Sequence, residues 1–125
     1  MNEQDLIKIE KHSGAVYEFN IGEDLFQMEQ LEWNNMPKFL TMFSILQRNL
    51  IKHEHENEED TYEISLKGIS LDEFEIIKGV IEIAVAQSFK SLKDKPELLS
   101  KFCMNNFNIL LDAVVETNQS TLQHG

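Results

Sequence analysis

The stretch from Ser70 to Phe89 constrains this chain more than any other. It reads Ser-Leu-Asp-Glu-Phe-Glu-Ile-Ile-Lys-Gly-Val-Ile-Glu-Ile-Ala-Val-Ala-Gln-Ser-Phe. Ser70 followed three residues later by Glu73 is the pattern of a capping box, in which two side chains satisfy backbone N–H groups that a helix start leaves open. Asp72 and Glu73 also set negative charge against the positive end of the helix dipole. At about 100° per residue, Phe74, Ile77, Ile81, Ala84 and Val85 fall on one face, and Ile76, Val80 and Ile83 broaden it. Only Glu75, Lys78 and Glu82 leave a clear polar strip. So apolar a helix is expected at the centre of a fold, touched from more than one side. Gly79 costs about 1 kcal/mol relative to Ala in a helix interior, and a close approach of another backbone would give it a purpose.

The elements around this helix follow from periodicity and turn chemistry. Leu6 to Lys11 and Val16 to Ile21 alternate and flank His12-Ser13-Gly14, so they predict a β-hairpin. Tyr17, Phe19 and Ile21 share the face expected to pack on helices. Gly22-Glu23-Asp24 marks a second turn, and Phe26 to Trp33 predicts a third short strand, with a helical turn over Leu25 to Leu31 as the alternative. Asn34 or Asn35 can cap a helix with Pro37 in its first turn. That helix is expected over 36–52, with Met36, Phe39, Leu40, Phe43, Leu46 and Leu50 on its apolar face. His53 to Asp60 has no apolar residue and predicts an exposed loop, and Thr61 to Leu66 alternates as a short strand. Pro96 opens a helical region over 96–117, either continuous or broken at Asn105-Asn106. Residues 118–125 are expected to fray. The expected fold is α+β and helix-dominated: a β-rich segment over 1–33, a small antiparallel hairpin or meander, packed on three to four helices over 36–52, 70–89 and 96–117.

The 125 residues suit one domain spanning 1–125, and a 42% hydrophobic content supports a core. No apolar run reaches 18 residues, and the N-terminal residues lack the basic-then-apolar order of a signal peptide, so a cytoplasmic protein without a membrane span is expected. One cysteine, Cys103, excludes an intramolecular disulfide; between Phe102 and Phe107 it reads as a packed, inert thiol. The formal charge of −11, with Arg48 the sole arginine, argues against direct nucleic-acid binding, because phosphate contacts need Lys and Arg.

Candidate chemistry is sparse. His53-Glu54-His55-Glu56 has metal-ligand residue types, but residues two apart diverge on a helix, and on a strand no further ligand joins them. No metal, no cofactor and no catalytic residue is predicted: there is no Gly-rich phosphate loop, no His-Glu-x-x-His motif, and no Cys close to a His in sequence. A metal-dependent enzyme built on the His53–Asp60 segment is the least favoured reading. Protein–protein contact is what remains. Trp33, a large amphipathic residue beside Met36 at a strand–helix junction, can anchor a partner. Ile45, Ile76, Ile83, Ile109 and Ala113 exceed the one apolar stripe that each helix needs, which predicts an exposed helix face. The candidate partner-binding residues are Trp33, Met36, Ile45, Ile109 and Ala113, placing function on the flanking helices rather than the central one.

The order of elements carries a resemblance. A β-rich segment leads through Asn34-Asn35-Met36-Pro37-Lys38-Phe39-Leu40 into a helix and a charged loop. The capped helix from Ser70 follows, and the chain closes with Pro96-Glu97-Leu98-Leu99-Ser100-Lys101-Phe102 and Asn106 to Glu116. Over Val16 to Thr117 this arrangement resembles the tail assembly chaperones of long-tailed bacteriophages. The resemblance implies a non-enzymatic chaperone that coats the long helical tape measure protein during tail assembly, self-associates, and works in the host cytoplasm. It implies no catalytic residues, and the His-rich acidic loop departs from the family. The alternative is an acidic interaction protein that inhibits a host or phage enzyme, for instance as a nucleic-acid mimic.

Overall fold

The computed structural model describes residues 16–123. The strand expected at Leu6 to Lys11, and its turn at His12 to Gly14, lie outside the described residues. Strand β1 (Val16–Ile21) instead pairs with β2 (Asp24–Glu29), antiparallel, with Phe19 opposite Phe26 and Tyr17 opposite Met28. The two-residue connection holds Gly22 at φ +64°, the sign required at the first central position of a type II′ hairpin turn. Alternation then buries Phe19, Ile21, Phe26 and Met28 on one face. The third strand expected at Phe26 to Trp33 therefore starts earlier, at Asp24, and stops at Glu29, while Trp33–Asn35 forms a 3-10 turn.

Helix α1 (Met36–Arg48) has Pro37 in its first turn, where its missing N–H costs nothing. It is shorter than expected. Asn49 closes it, its N–H donating to the Leu46 carbonyl and its side-chain amide to the Ile45 carbonyl at 2.8 Å. Leu50–His53 then forms β3, antiparallel to β4 (Thr61–Ile64), with Leu50 opposite Ile64. Leu50 has no core to face beyond Asn49, so strand pairing rather than helix packing satisfies this backbone. A Cβ at Gly68 would stand 2.6 Å from Asn49 Oδ1, so glycine is needed where the chain returns past this helix end. The buried face of α1 is Met36, Phe39, Met42, Ile45 and Leu46; Leu40 is exposed and Phe43 half-buried, a rotation from the expected stripe.

Helix α2 (Leu71–Ser88) begins with the predicted capping box. The Glu73 N–H donates to Ser70 Oγ at 3.2 Å and the Ser70 N–H to Glu73 Oε1 at 3.1 Å. Arg48, at the end of α1, pairs with the same Glu73 carboxylate. The Ser70 N–H, then the Arg48 guanidinium, hold the Glu73 carboxyl below its usual 4.5. A lowered folded-state pKa contributes stability above the unfolded value that is lost as pH falls through the folded one. Short α3 (Lys90–Lys93), α4 (Pro96–Asn105) and α5 (Phe107–Gln123) complete the chain. Of the two alternatives for 96–117, a break at Asn105-Asn106 is the one present, with the Asn106 side chain donating to the Phe102 carbonyl. The fold is α+β and helix-dominated, with two small antiparallel strand pairs among the described residues.

The core gathers around three phenylalanines from three elements: Phe26 of β2, Phe89 just past α2, and Phe102 of α4. Their ring centroids lie 6.1 to 6.4 Å apart in edge-to-face arrangements. Leu92, on the short helix between two lysines, is also fully buried. Polar side chains secure the chain as it leaves β2. Ser88 Oγ accepts from the Glu29 N–H at 2.9 Å, Gln87 Oε1 from the Glu32 N–H at 3.1 Å, and Asn118 Oδ1 from the Leu31 N–H at 2.8 Å. Asn118 also donates to the Val114 carbonyl, and it is fully buried with Thr117 beside it. Helix α5 continues past residue 117 to Gln123, and Asn118 meets a backbone N–H that needs an acceptor; residues 124–125 of the expected tail lie outside the described residues.

Two changes test these contacts. Asn118→Ala leaves the Leu31 N–H buried without an acceptor and should cost about 1–3 kcal/mol in urea unfolding. Ser70→Ala removes the helix cap and should cost about 1 kcal/mol at pH 7. The Ser70→Ala penalty rests on the Glu73 backbone N–H, which does not titrate, so it should persist at low pH, while the Glu73 half of the box weakens in the parent chain as the pH falls below 4.5.

Candidate functional surfaces

Two grooves border α2, one on each side. The first lies between α2, α4 and α5 and encloses about 200 Å³. Its floor is Ile81 and Cys103, its walls are Phe74 and Phe107, and Met104 stands on its rim. Phe74 and Phe107 stack with centroids 5.5 Å apart and planes inclined by 24°. Met104 is 72% exposed and Leu71, at the start of α2, is 76% exposed. Helical spacing places Leu71 on the side of α2 that carries Glu75 and Lys78, both of which also line this groove. Apolar side chains thus continue from a partly enclosed floor onto open surface, edged by one acid and one base. Such a continuous apolar surface marks a contact site more than scattered exposed residues do.

The second groove runs between α1 and α2, encloses about 350 Å³, and is lined by Lys38, Thr41, Ile76, Gly79 and Ile83 among others. It continues past Ile83 into a more polar hollow beside Glu32, Asn35, Gln87 and Lys93. No heavy atom lies within 4 Å of where a Cβ on Gly79 would stand. The backbone approach expected at Gly79 does not come from the described residues of this chain.

The β3–β4 hairpin is the third exposed feature. Every residue from Leu50 to Glu63 is exposed, among them Leu50, Ile51 and Tyr62. His53 Nε2 contacts Glu63 at 2.9 Å and His55 Nε2 contacts Thr61 Oγ1 at 3.2 Å. Lys52 pairs with Asp60 at 3.3 Å and lies 3.8 Å from Glu54. Among the described residues no three His, Cys, Asp or Glu side chains converge on a common point as metal ligands would. No helix among them is long and apolar enough to cross a membrane.

Of the residues expected to meet a partner, Met36, Ile45 and Ala113 are buried in the core, which corrects their assignment. Met36 lies on the inner stripe of α1, as its place on the expected apolar face implied; Ile45 joins that stripe because it is rotated from the expected one; and Ala113 is on the buried side of α5 with Leu110 and Val114. Trp33 is 84% exposed in its 3-10 turn and Ile109 is exposed in the first turn of α5, but neither lines a groove described above. Met104 was overlooked. Its signal in the sequence is spacing: Met104 follows Ser100 by four residues on α4, and both face the groove. No protein-family model, curated protein or solved structure matches the chain.

Cys103 sits at the bottom of the first groove, yet its thiol is protected. Burial, then the nearby negative charge of Glu82, pushes its pKa up to about 12 from an ordinary 9.0. Its thiolate fraction at pH 8 is lower than that of an ordinary cysteine by about a thousandfold. An aromatic disulfide reagent at pH 8 should therefore leave the folded chain essentially unmodified over an hour. The same reagent should label the urea-unfolded chain within seconds. Any ligand that stays in the groove should slow the residual labelling further.

Proposed function

We propose that this protein is a non-enzymatic, protein-binding assembly chaperone, like the tail assembly chaperones that cover the tape measure protein of long-tailed phages. The observation that carries this reading is the apolar groove between α2, α4 and α5, with exposed Met104 on its rim. A holdase needs apolar surface that is open in the free protein and shaped for amphipathic helices, whose apolar side chains recur every three to four residues. The Phe74–Phe107 stack supplies a rigid aromatic wall for such an anchor, and flexible Met104 adapts to different side chains. Affinity per groove is modest, and many copies along one long helical partner add through multivalency. The net charge of −11 keeps apolar surfaces apart between encounters and favours basic stretches of the partner. This work is expected in the host cytoplasm.

An acidic inhibitor that mimics nucleic acid gains less from the charge placement. The densest acidic segment, Glu54 to Asp60, is partly neutralised by Lys52, and Glu75 shares its surface with Lys78.

The test is co-expression with a tape measure protein from the genome that encodes this chain. The chaperone reading predicts that the long partner stays soluble with this protein and precipitates without it. It also predicts that Met104→Glu, an exposed change that leaves the fold intact, lowers the soluble yield at least about threefold. A genome without a tape measure gene, or a partner equally soluble in all three conditions, would falsify the reading.

A further inference from the structure

The β3–β4 hairpin lines neither groove beside α2. Leu50, Ile51 and Tyr62 nevertheless stand open on it, with Leu66 just beyond β4. Of its residues only Ile64, at the base, packs against the core. A two-stranded hairpin is marginal in water without a third strand or a helix against it. The cross-strand contacts of Lys52 with Asp60 and of His53 with Glu63 are exposed and add little.

The backbone shows where a third strand fits. The Ser65 N–H donates to the Asn49 carbonyl at 2.9 Å, continuing the ladder from the pair of Leu50 and Ile64. Bonded and non-bonded pairs alternate in an antiparallel ladder. Ile51 therefore bonds to Glu63 and His53 to Thr61, while Tyr62 and Ile64 turn their N–H and C=O groups to the outer edge of β4. No strand among the described residues occupies that edge, and neither a proline nor a bulge blunts it.

Charge identifies the occupant. Residues 50–64 carry Glu54, Glu56, Glu58, Glu59, Asp60 and Glu63 against one lysine, Lys52. That lysine already lies 3.3 Å from Asp60 and 3.8 Å from Glu54. A second copy of the chain brings the same acids to the same edge and is repelled, whereas a basic segment is attracted. Side chains alternate across β4, with Tyr62 and Ile64 on one face and Thr61 and Glu63 on the other. A strand added here meets apolar surface on one face and a carboxylate on the other.

We propose that β4 is a docking strand for an extended segment of a partner protein in which apolar residues alternate with Lys or Arg. The segment pairs with the outer edge as a third strand. Its apolar side chains lie beside Tyr62 and Ile64, and its cations beside Glu63 and the acidic turn. Such an occupant is extended, unlike the amphipathic helices assigned to the groove around Met104.

Fluorescence anisotropy on the full chain tests this, with a labelled peptide of alternating Val and Lys about eight residues long. At low salt the peptide should bind with a Kd on the order of 10–100 μM. A Gly-Lys peptide of equal length and charge, a poor strand former, should bind at least about tenfold more weakly. Tyr62→Pro should weaken the Val-Lys peptide at least about tenfold while keeping the hairpin, because the Tyr62 N–H points away from β3. Amide exchange at Ile51 and His53 reports whether the hairpin is kept. Tyr62→Val, which retains the N–H, should bind within about threefold of the parent. Glu63→Gln, which leaves the backbone untouched, should weaken binding about threefold. Met104→Glu should leave it unchanged, which separates this inference from the groove. Absence of binding overturns the proposal, as does equal binding of the Gly-Lys peptide, which reduces the attraction to charge alone. Undiminished binding by Tyr62→Pro with the hairpin intact also overturns it. If that variant opens the hairpin, undiminished binding by Glu63→Gln overturns it instead. Binding lost in Met104→Glu places the peptide in the helical groove and overturns it too.

Discussion

Everything else in this fold hangs on the meeting of Phe26, Phe89 and Phe102. They come from a strand, a helix end and another helix, separated by up to 76 residues of chain, and each is almost wholly buried. A two-stranded hairpin is marginal in water by itself. β1–β2 gains its stability by placing Phe26 between the two other rings, and Phe19 extends the stack along the hairpin at 5.9 Å from Phe26. The β3–β4 hairpin has no such anchor, and it stands exposed from end to end. The two strand pairs thus differ through what their inward face touches, not through their pairing.

Burying the strand end beside this cluster has a consequence. The backbone leaving β2 at Glu29 has no further strand partner among the described residues, and unsatisfied N–H groups there would be costly. Ser88, Gln87 and Asn118 supply the acceptors, two from α2 and one from α5. The apolar cluster and the polar ties therefore act on the same junction: one fixes the distance between hairpin and helices, the other fixes the register. This explains why Ser88 and Asn118 are buried although their residue types usually are not.

Features written in local chemistry were legible in the sequence. The capping box at Ser70 and Glu73, the alternation of Tyr17, Phe19 and Ile21, and the Asn106 break depend on residues a few positions apart. Features set by distant partners were not. Asn49 is the only local mark of the end of α1 at Arg48; that the chain then runs extended depends on Thr61 to Ile64 pairing with Leu50 to His53. Asn118 looked like part of a polar tail because its partner, the Leu31 N–H, is a backbone group with no side-chain signature. The surface residues fared worst for the same reason. Ile45 seemed surplus only while the inner stripe of α1 was misplaced, and Ala113 only while the buried side of α5 was drawn too narrow, whereas Met104 takes its interest from groove residues that α2 and α5 bring to it.

The breadth of α2 now has a different meaning. Its apolar circumference first suggested complete enclosure, and with it a role confined to structure. The inner half is enclosed: Ile77, Val80, Ile81, Ala84 and Val85 are buried. The excess is not. Phe74 lies at the edge of one groove, and Ile76 and Ile83 lie along the other, on opposite sides of the same helix. An apolar residue left open on a chain of only 125 residues costs solubility, and placing such residues on one rigid helix, behind a fixed cap and a packed end at Phe89, holds both surfaces in a constant relation.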